Sequence, residues 1–117
     1  MTTVRAGRQV YRIQAEILKA LANPVRLEIL HLLGSREVSS RKLMLALGIS
    51  KTNLSQHLGV LRKAHIVTDR REGVSTLYRL AYPEIEEACR SVGEALAGYL
   101  LDVGKQAKVL LREVGRG

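Results

Sequence analysis

The sequence contains few aromatic residues: its 117 residues include four Tyr and neither Phe nor Trp. Proteins that bind single strands stack the bases on aromatic side chains, so this class is disfavoured. A single cysteine excludes a disulfide framework within the chain and a zinc site made of cysteines alone, and it suits a reducing cytosol. No apolar run approaches the length of a membrane span, and the first residues lack the apolar stretch of a signal peptide. We therefore expect a small cytoplasmic protein with no membrane partner.

Catalytic motifs are also missing. The sequence shows no nucleophile with a base at a suitable spacing, no carboxylate pair in the pattern of a cleft and no glycine-rich phosphate loop. We therefore expect no enzymatic activity and no cofactor. The chain is 46% hydrophobic and 26% charged, which is typical of a folded protein, and its length predicts a single domain over residues 1–117.

Positive charge is abundant and unevenly distributed. The formal net charge is +8, and residues 36–79 alone carry nine basic and three acidic side chains. Residues 80–117 carry five basic and six acidic side chains, so the last third is close to neutral. This asymmetry predicts a basic face in the middle of the chain and favours nucleic acid as the partner. The alternative is that several of these arginines only solvate helix surfaces.

Helical signals dominate the first half. Apolar positions repeat at helical spacing from Val10 to Leu21, and Asn23 followed by Pro24 predicts the cap and first residue of a second helix, which ends at Gly34.

Two shorter helices follow. One begins near Ser39 or Ser40 and ends at Gly48. Ser50 then caps a fourth helix that runs to about Ala64. The two helices define a helix-turn-helix over about residues 39–64.

The pattern changes after the fourth helix. Residues 66–80 are rich in β-branched side chains around Arg71-Glu72-Gly73, which predicts a β-hairpin. A last helix from Glu84 to about Glu113 carries apolar or small residues at alternating steps of four and three, as in a coiled-coil seam. The fold class is therefore mainly α with a small β-hairpin, a winged helix-turn-helix.

The fourth helix has the features of a rod that reads the major groove of double-stranded DNA. Its polar face begins with Lys51, Thr52 and Asn53 and continues with Ser55 and Gln56. Asn and Gln can each pair with adenine through two hydrogen bonds, and Lys near the helix start suits a phosphate. For each of these residues taken alone, the alternative is an ordinary solvated helix face.

The sequence also resembles a known family. The runs LKALANPVRLEILHLL, LGISKTNLSQHLGVLRKAHIV and DRREGVSTLYRL are similar to the ArsR/SmtB family of winged-helix transcriptional repressors, and the resemblance covers about residues 15–100. Ser55 and Gln56 match the base-reading positions of the family, and His57 belongs to the same motif. The family usually has a glycine before the hairpin, where this sequence has Ala64-His65-Ile66. The candidate DNA contacts are Ser40, Lys51, Thr52, Asn53, Ser55, Gln56, His57, Arg62, Lys63, Arg70, Arg71 and Arg79.

The resemblance implies a homodimer, built from the first and last helices, that binds a two-fold symmetric operator and represses transcription until an inducer binds. The seam of the last helix supports a dimer independently, because a long half-apolar helix needs a covering partner. Two-fold symmetry would place the reading helices about 34 Å apart, one turn of DNA. The predicted interface residues are Ile13, Ile17, Ile85, Cys89, Val92, Leu96, Tyr99 and Val103.

The inducer is not evident. Of the metal sites that the family uses, one needs thiolates where this chain has Ser39 and Arg41, and the other needs ligands where it has Ala97 and Leu100. The three histidines show no ligand spacing, so we predict no metal site, with a non-standard metal site as the alternative.

Cys89 is the remaining candidate for a sensing residue, and it would act as a thiol switch. The alternative is that Cys89 only packs in the seam as a small apolar side chain. For the protein as a whole, the alternative to a repressor is a winged-helix module for architecture or protein interaction.

Overall fold

The computed structural model describes residues 2–116, with side chains for residues 7–109 and 111–113. Its elements follow one another in the order α1 (Thr2–Leu21), α2 (Pro24–Leu33), β1 (Val38–Ser39), α3 (Ser40–Leu47), α4 (Lys51–Lys63), β2 (Val67–Glu72), β3 (Ser75–Leu80) and α5 (Glu84–Arg116). The three strands form one antiparallel sheet in the order β1-β3-β2. The prediction of a mainly helical winged helix-turn-helix is confirmed.

The chain divides into two compact units, the first ending at Glu86 and the second beginning at Glu87. The first unit contains α1 to β3 and the start of α5, and the second contains the remainder of α5. No helix in the described part of the chain is both long and apolar enough to cross a bilayer.

Two elements differ from the sequence prediction. The first helix begins at Thr2, ahead of the apolar row that runs from Val10 to Leu21, because its opening turns carry no apolar row that periodicity could detect. The sheet has a third strand, β1, whose Val38 and Ser39 pair with Tyr78 and Leu77 of β3. A strand of two residues is too short to show alternation, so the hairpin alone was predicted.

Side-chain caps mark the beginnings of α2 and α4. The Asn23 side chain accepts hydrogen bonds from the backbone N–H groups of Val25 and Arg26, at 2.9 and 3.2 Å. The Ser50 hydroxyl oxygen accepts one from the N–H of Asn53 at 3.1 Å. Each cap satisfies backbone donors that the helix itself leaves unpaired. Both predicted caps are confirmed.

The apolar core lies beneath the helix-turn-helix. Ile29, Leu30 and Leu33 of α2 are almost fully buried, and Leu43 of α3 is completely so. The end of α1 adds Ala20 and Leu21. The rest of the core comes from the inner face of α4, from Ile66 and from the two hairpin strands, namely Leu54, Leu58, Leu61, Ile66, Val67 and Leu80. No polar side chain is buried among those that the structure describes. Helix α4 is therefore held by apolar packing, and on one face only.

At the junction between α4 and β2, this chain has His65 in the segment where the family usually has a glycine. His65 has a φ of 61°, the left-handed conformation that glycine adopts most easily. The N–H of His65 donates to the carbonyl of Arg62 at 3.0 Å, and the N–H of Ile66 donates to that of Leu61 at 2.9 Å. These two bonds form a Schellman motif, and the buried pair Leu61 and Ile66 supplies its apolar contact. His65 thus takes the place of the family's glycine, with some backbone strain.

Candidate DNA interface

Helix α4 has one buried face and one exposed polar face. Leu54, Leu58 and Leu61 are at most 3% exposed, and they hold the helix against the core. The predicted reading residues project elsewhere: Lys51, Thr52, Asn53, Ser55 and Gln56 are exposed, and His57 is half-buried. Because the caps and the core fix the helix, its polar side chains are presented on a rigid support, as groove reading requires.

The turn between α3 and α4 sets the relation of the two helices. Gly48 ends α3 in the left-handed conformation, with a φ of 64°, and its N–H donates to the carbonyl of Met44 at 2.9 Å. A side chain at this position would strain the backbone. Ile49 precedes the cap residue Ser50 and is half-buried, with Leu54 at the spacing of a hydrophobic staple. Ser40, a predicted contact, is the first residue of α3 and is half-buried.

Strands β2 and β3 form the wing that sequence analysis predicted. They pair from Val67 with Leu80 to Glu72 with Ser75, and Gly73, with a φ of 62°, lies in the turn. Apart from Val67, every residue of β2 is exposed.

Arg70 of the wing is held by two carboxylates. Its Nε and Nη2 donate to the two carboxylate oxygens of Glu37, each at 2.7 Å, and Nη2 also donates to Glu72 at 3.2 Å. The hydrogen bonds from Arg70, aided by its charge, lower the pKa of Glu37, and Arg79 lowers it further. This fork links the wing to the segment just before β1.

A second ion pair links the wing to the end of α4. Arg62 Nη1 donates to a carboxylate oxygen of Asp69 at 3.3 Å. Tyr78 lies opposite Asp69 on β3, and burial, with a contribution from the Asp69 charge, raises the pKa of its hydroxyl. Arg62 is more than half exposed, so it can turn toward a phosphate at small cost.

The remaining predicted cations are not neutralised. Within residues 7–109 and 111–113, Lys51, Lys63 and Arg71 have no carboxylate within ion-pair distance. Sequence reasoning missed Glu37 and Asp69 as partners of the predicted contacts. Glu37 is 33 positions from Arg70, so no local pattern could have joined them.

The predicted interface helices expose apolar side chains. Ile13 on α1 is 55% exposed, and Val92, Leu96 and Tyr99 on α5 are 68%, 52% and 62% exposed. Val103 is also exposed, whereas Ile17, Ile85 and Cys89 are half-buried. Among the described side chains, no cluster of three or more histidine, cysteine or acidic groups could hold a metal.

Comparison with known proteins agrees with this geometry. A model of a helix-turn-helix domain family matches residues 21–70. The HTH-type transcriptional regulator Rv0081 of Mycobacterium tuberculosis is 42% identical over 94 residues, which are 80% of this chain and 82% of the relative. Its crystal structure matches with a TM-score of 0.70 at 41% identity, over 80% of this chain and 94% of that one.

Two further relatives define the group. The HTH-type transcriptional repressor SmtB of M. tuberculosis is 39% identical over 63% of this chain and 55% of its own length. The solution structure of Mb0332 from Mycobacterium bovis is that of a homodimeric winged helix-turn-helix DNA-binding domain of a possible ArsR-family regulator. It matches with a TM-score of 0.71 at 31% identity, over 80% of this chain and 87% of that one.

A rigid reading helix, a tight turn and a basic wing define a winged helix-turn-helix DNA-binding protein. The chain belongs to the ArsR/SmtB family of helix-turn-helix transcriptional regulators.

Proposed function

We propose that this protein is a homodimeric, sequence-specific repressor that binds a two-fold symmetric operator in double-stranded DNA. The observation that carries the proposal is the polar face of α4, exposed on a helix whose opposite face is buried and whose start is capped. In this proposal the whole chain, residues 1–117, acts as one winged-helix domain. Its parts are the helix-turn-helix at about 39–64, the wing at about 66–80 and the dimerisation helix at about 84–113.

Base reading falls to the first two turns of α4. Gln56 and Asn53 offer the paired donor and acceptor that adenine presents in the major groove, and Ser55 and Thr52 can donate or accept. The half-buried His57 lies beside them at the edge of the exposed face. These side chains reach the groove together because all of them stand on one helix.

Phosphate contacts come from the cations around the reading helix. Lys51 lies at its start and Lys63 at its end, and Arg71 and Arg79 are exposed on the wing. Ser40 at the start of α3 adds a hydroxyl. Arg62 and Arg70 complete the set, each exchanging a carboxylate partner for a phosphate when DNA arrives.

The exposed apolar rows on α1 and α5 support a homodimer. Side chains as large as Leu96 and Tyr99 are more than half exposed, and a second copy would cover them. The relative Mb0332 is homodimeric. The proposed interface consists of Ile13, Ile17, Ile85, Cys89, Val92, Leu96, Tyr99 and Val103.

Footprinting on the protein's own promoter, followed by titration of the protected sequence, tests the proposal. We expect an inverted repeat to bind at least about 10³-fold more tightly than a scrambled duplex, with affinity falling steeply as salt rises. Transcription in vitro from the same promoter should decrease as the protein is added. Equal binding to all duplexes would favour an architectural module, and increased transcription would contradict repression.

The role of Cys89 as a thiol switch stays a prediction. It is half-buried on α5, within the row proposed to meet the second copy. Operator binding is measured for the wild type and Cys89→Ser with and without peroxide or polysulfide, and only the wild type should respond. Equal responses would assign Cys89 to packing, and the same titration with added metal ions tests the metal-responsive alternative.

A further inference from the structure

Gly59 lies on the exposed polar face of α4, near the middle of the helix. Its neighbours on the helix surface are the residues three and four positions away, because a helix has 3.6 residues per turn. These neighbours are Ser55, Gln56, Arg62 and Lys63, and all four are exposed. Gly59, which has no side chain, is half-buried among them. The polar face of α4 therefore has a notch at Gly59, surrounded by proposed DNA contacts.

The fold does not require a glycine at this position. A Cβ built on Gly59 has no atom of the described chain within 4 Å, apart from the two sequence neighbours and the backbone of its own helix. The φ of Gly59 is not positive either, unlike that of Gly48 or Gly73. Neither lack of space nor backbone conformation therefore explains why the side chain is missing.

A glycine inside a helix also lowers stability. Glycine loses more backbone freedom on folding than any other residue, and only proline is less favourable in a helix interior. Gly59 has a full turn of α4 on either side, so alanine would stabilise the helix there. A destabilising residue that packing does not need is expected where function requires it.

The three sides of α4 separate the functions that Gly59 could serve. One side carries the leucines that meet the core. A second side carries Val60, Lys63 and Ala64, which line the groove beside α1, and Gly59 does not line that groove. The third side is the polar face. The requirement for a glycine therefore comes from what the polar face meets, which under the proposed function is DNA.

We propose that Gly59 is the point at which the backbone of α4 lies closest to the DNA, an inference that rests on the proposed function. With its side chains a helix is about 10–12 Å wide, and the major groove is about 12 Å wide, so the fit leaves little room. A residue without Cβ allows the helix backbone to approach the groove wall. Gly59 is thus a positioning residue: it sets the depth at which Gln56 meets a base and Arg62 a phosphate.

A size series at position 59 tests the proposal. Operator and scrambled duplexes are titrated with the wild type, Gly59→Ala and Gly59→Leu, and urea unfolding is measured without DNA. Both variants should unfold at a urea concentration higher by about 0.5 M, because alanine and leucine are better helix formers. The operator Kd should nevertheless rise by about tenfold for Gly59→Ala and by about tenfold more for Gly59→Leu, since a displaced helix loses base contacts.

Gly98→Ala is the matched control. Gly98 is an exposed glycine of α5 outside the proposed dimer contact, and a Cβ built there likewise meets no described atom within 4 Å beyond its sequence neighbours and its own helix backbone. This variant should leave the operator Kd unchanged. The size series also separates space from flexibility, because alanine and leucine stiffen the helix alike. Equal losses for Gly59→Ala and Gly59→Leu would assign Gly59 to flexibility and overturn the close approach.

Two further results would overturn the proposal: an operator Kd that neither variant changes, or a lower urea midpoint, which would show that the fold itself needs Gly59. A wild type that binds operator and scrambled duplexes equally would instead contradict the proposed function. The variants are then compared on the scrambled duplex, where a Kd equal to that of the wild type would also overturn the close approach. A wild type that binds neither duplex would overturn both.

Discussion

Helix α4 and the wing are both basic, but their cations differ in how many carboxylates lie beside them. Helix α4 contains no acidic residue from Lys51 to Lys63, so its cations at either end face no carboxylate of their own helix. The wing carries Asp69 and Glu72 among its arginines, and it receives Glu37 from outside. The comparison shows that net charge alone does not measure how ready a basic surface is for DNA.

The difference has a physical consequence for binding. The cations Lys51 and Lys63 of α4 can meet DNA without giving up an ion pair among the described residues, whereas Arg62 must leave Asp69. Arg70 must first leave a bidentate carboxylate, which reduces its net gain from a phosphate. We therefore expect α4 to dominate both affinity and specificity, with the wing contributing mainly through Arg71.

The largest effect should come from Gln56→Ala on the reading helix. Removing a bidentate base contact should cost about 1–3 kcal/mol per half-site, and the cost should fall on the operator far more than on scrambled DNA. Fluorescence anisotropy with both duplexes measures the two affinities. Gln14→Ala, an exposed change of the same kind on α1, is the control and should have no effect. A uniform decrease on both duplexes would remove Gln56 from base reading.

The second-largest effect should come from His65, which lies at the junction between α4 and the wing. His65→Gly should raise the free energy of unfolding by about 1 kcal/mol, because glycine adopts the left-handed conformation without the penalty that a side chain meets. Urea unfolding followed by circular dichroism measures it. His31→Gly, within α2, should lower stability by a similar amount. Equal destabilisation by both changes would contradict the strain at His65.

A smaller effect should separate two neighbouring wing arginines. Arg71→Ala removes an uncompensated cation, so the slope of log K against log salt should fall by about 0.9 for each phosphate that the variant no longer neutralises. Arg70→Ala should reduce the slope less, since Glu37 and Glu72 already hold that cation. Operator titrations from low to physiological salt compare the two. A larger reduction of the salt slope in Arg70→Ala than in Arg71→Ala would contradict the inference that Glu37 and Glu72 keep Arg70 from the phosphates.

The smallest effect concerns the Glu37 fork and its pH dependence. The pKa of Glu37 is lowered in the folded chain, mainly by the hydrogen bonds from Arg70. The fork therefore adds stability that is fully present above the unfolded pKa, about 4.3, and is lost as the pH falls through the lower folded value. Carboxyl NMR titration should show this lowered pKa and its return in Arg70→Gln. Glu37→Gln should abolish the part of the pH dependence of stability that comes from this fork, and it should leave Arg70 free of Glu37 for contact with DNA.

Local chemistry made most of this structure predictable. Asn23 and Ser50 cap helices, Gly48 ends one, and the apolar row of α4 is buried as its spacing indicates, whereas Leu27 in the apolar row of α2 is 43% exposed. What escaped prediction depends on contacts between distant segments. Strand β1 exists because Val38 meets Tyr78, and Glu37 lies beside Arg70 only because β1 joins the sheet.

The sheet order has one more consequence. Strand β2 pairs on one side only, with β3, so its other side forms an open edge of the sheet. An open edge can recruit a strand from another molecule and start aggregation. Four of the six residues of β2 are charged, with both signs present, and Val67 alone is buried. The ion pairs of the wing thus also protect the protein at high concentration, because an incoming strand would have to displace charged side chains from the edge.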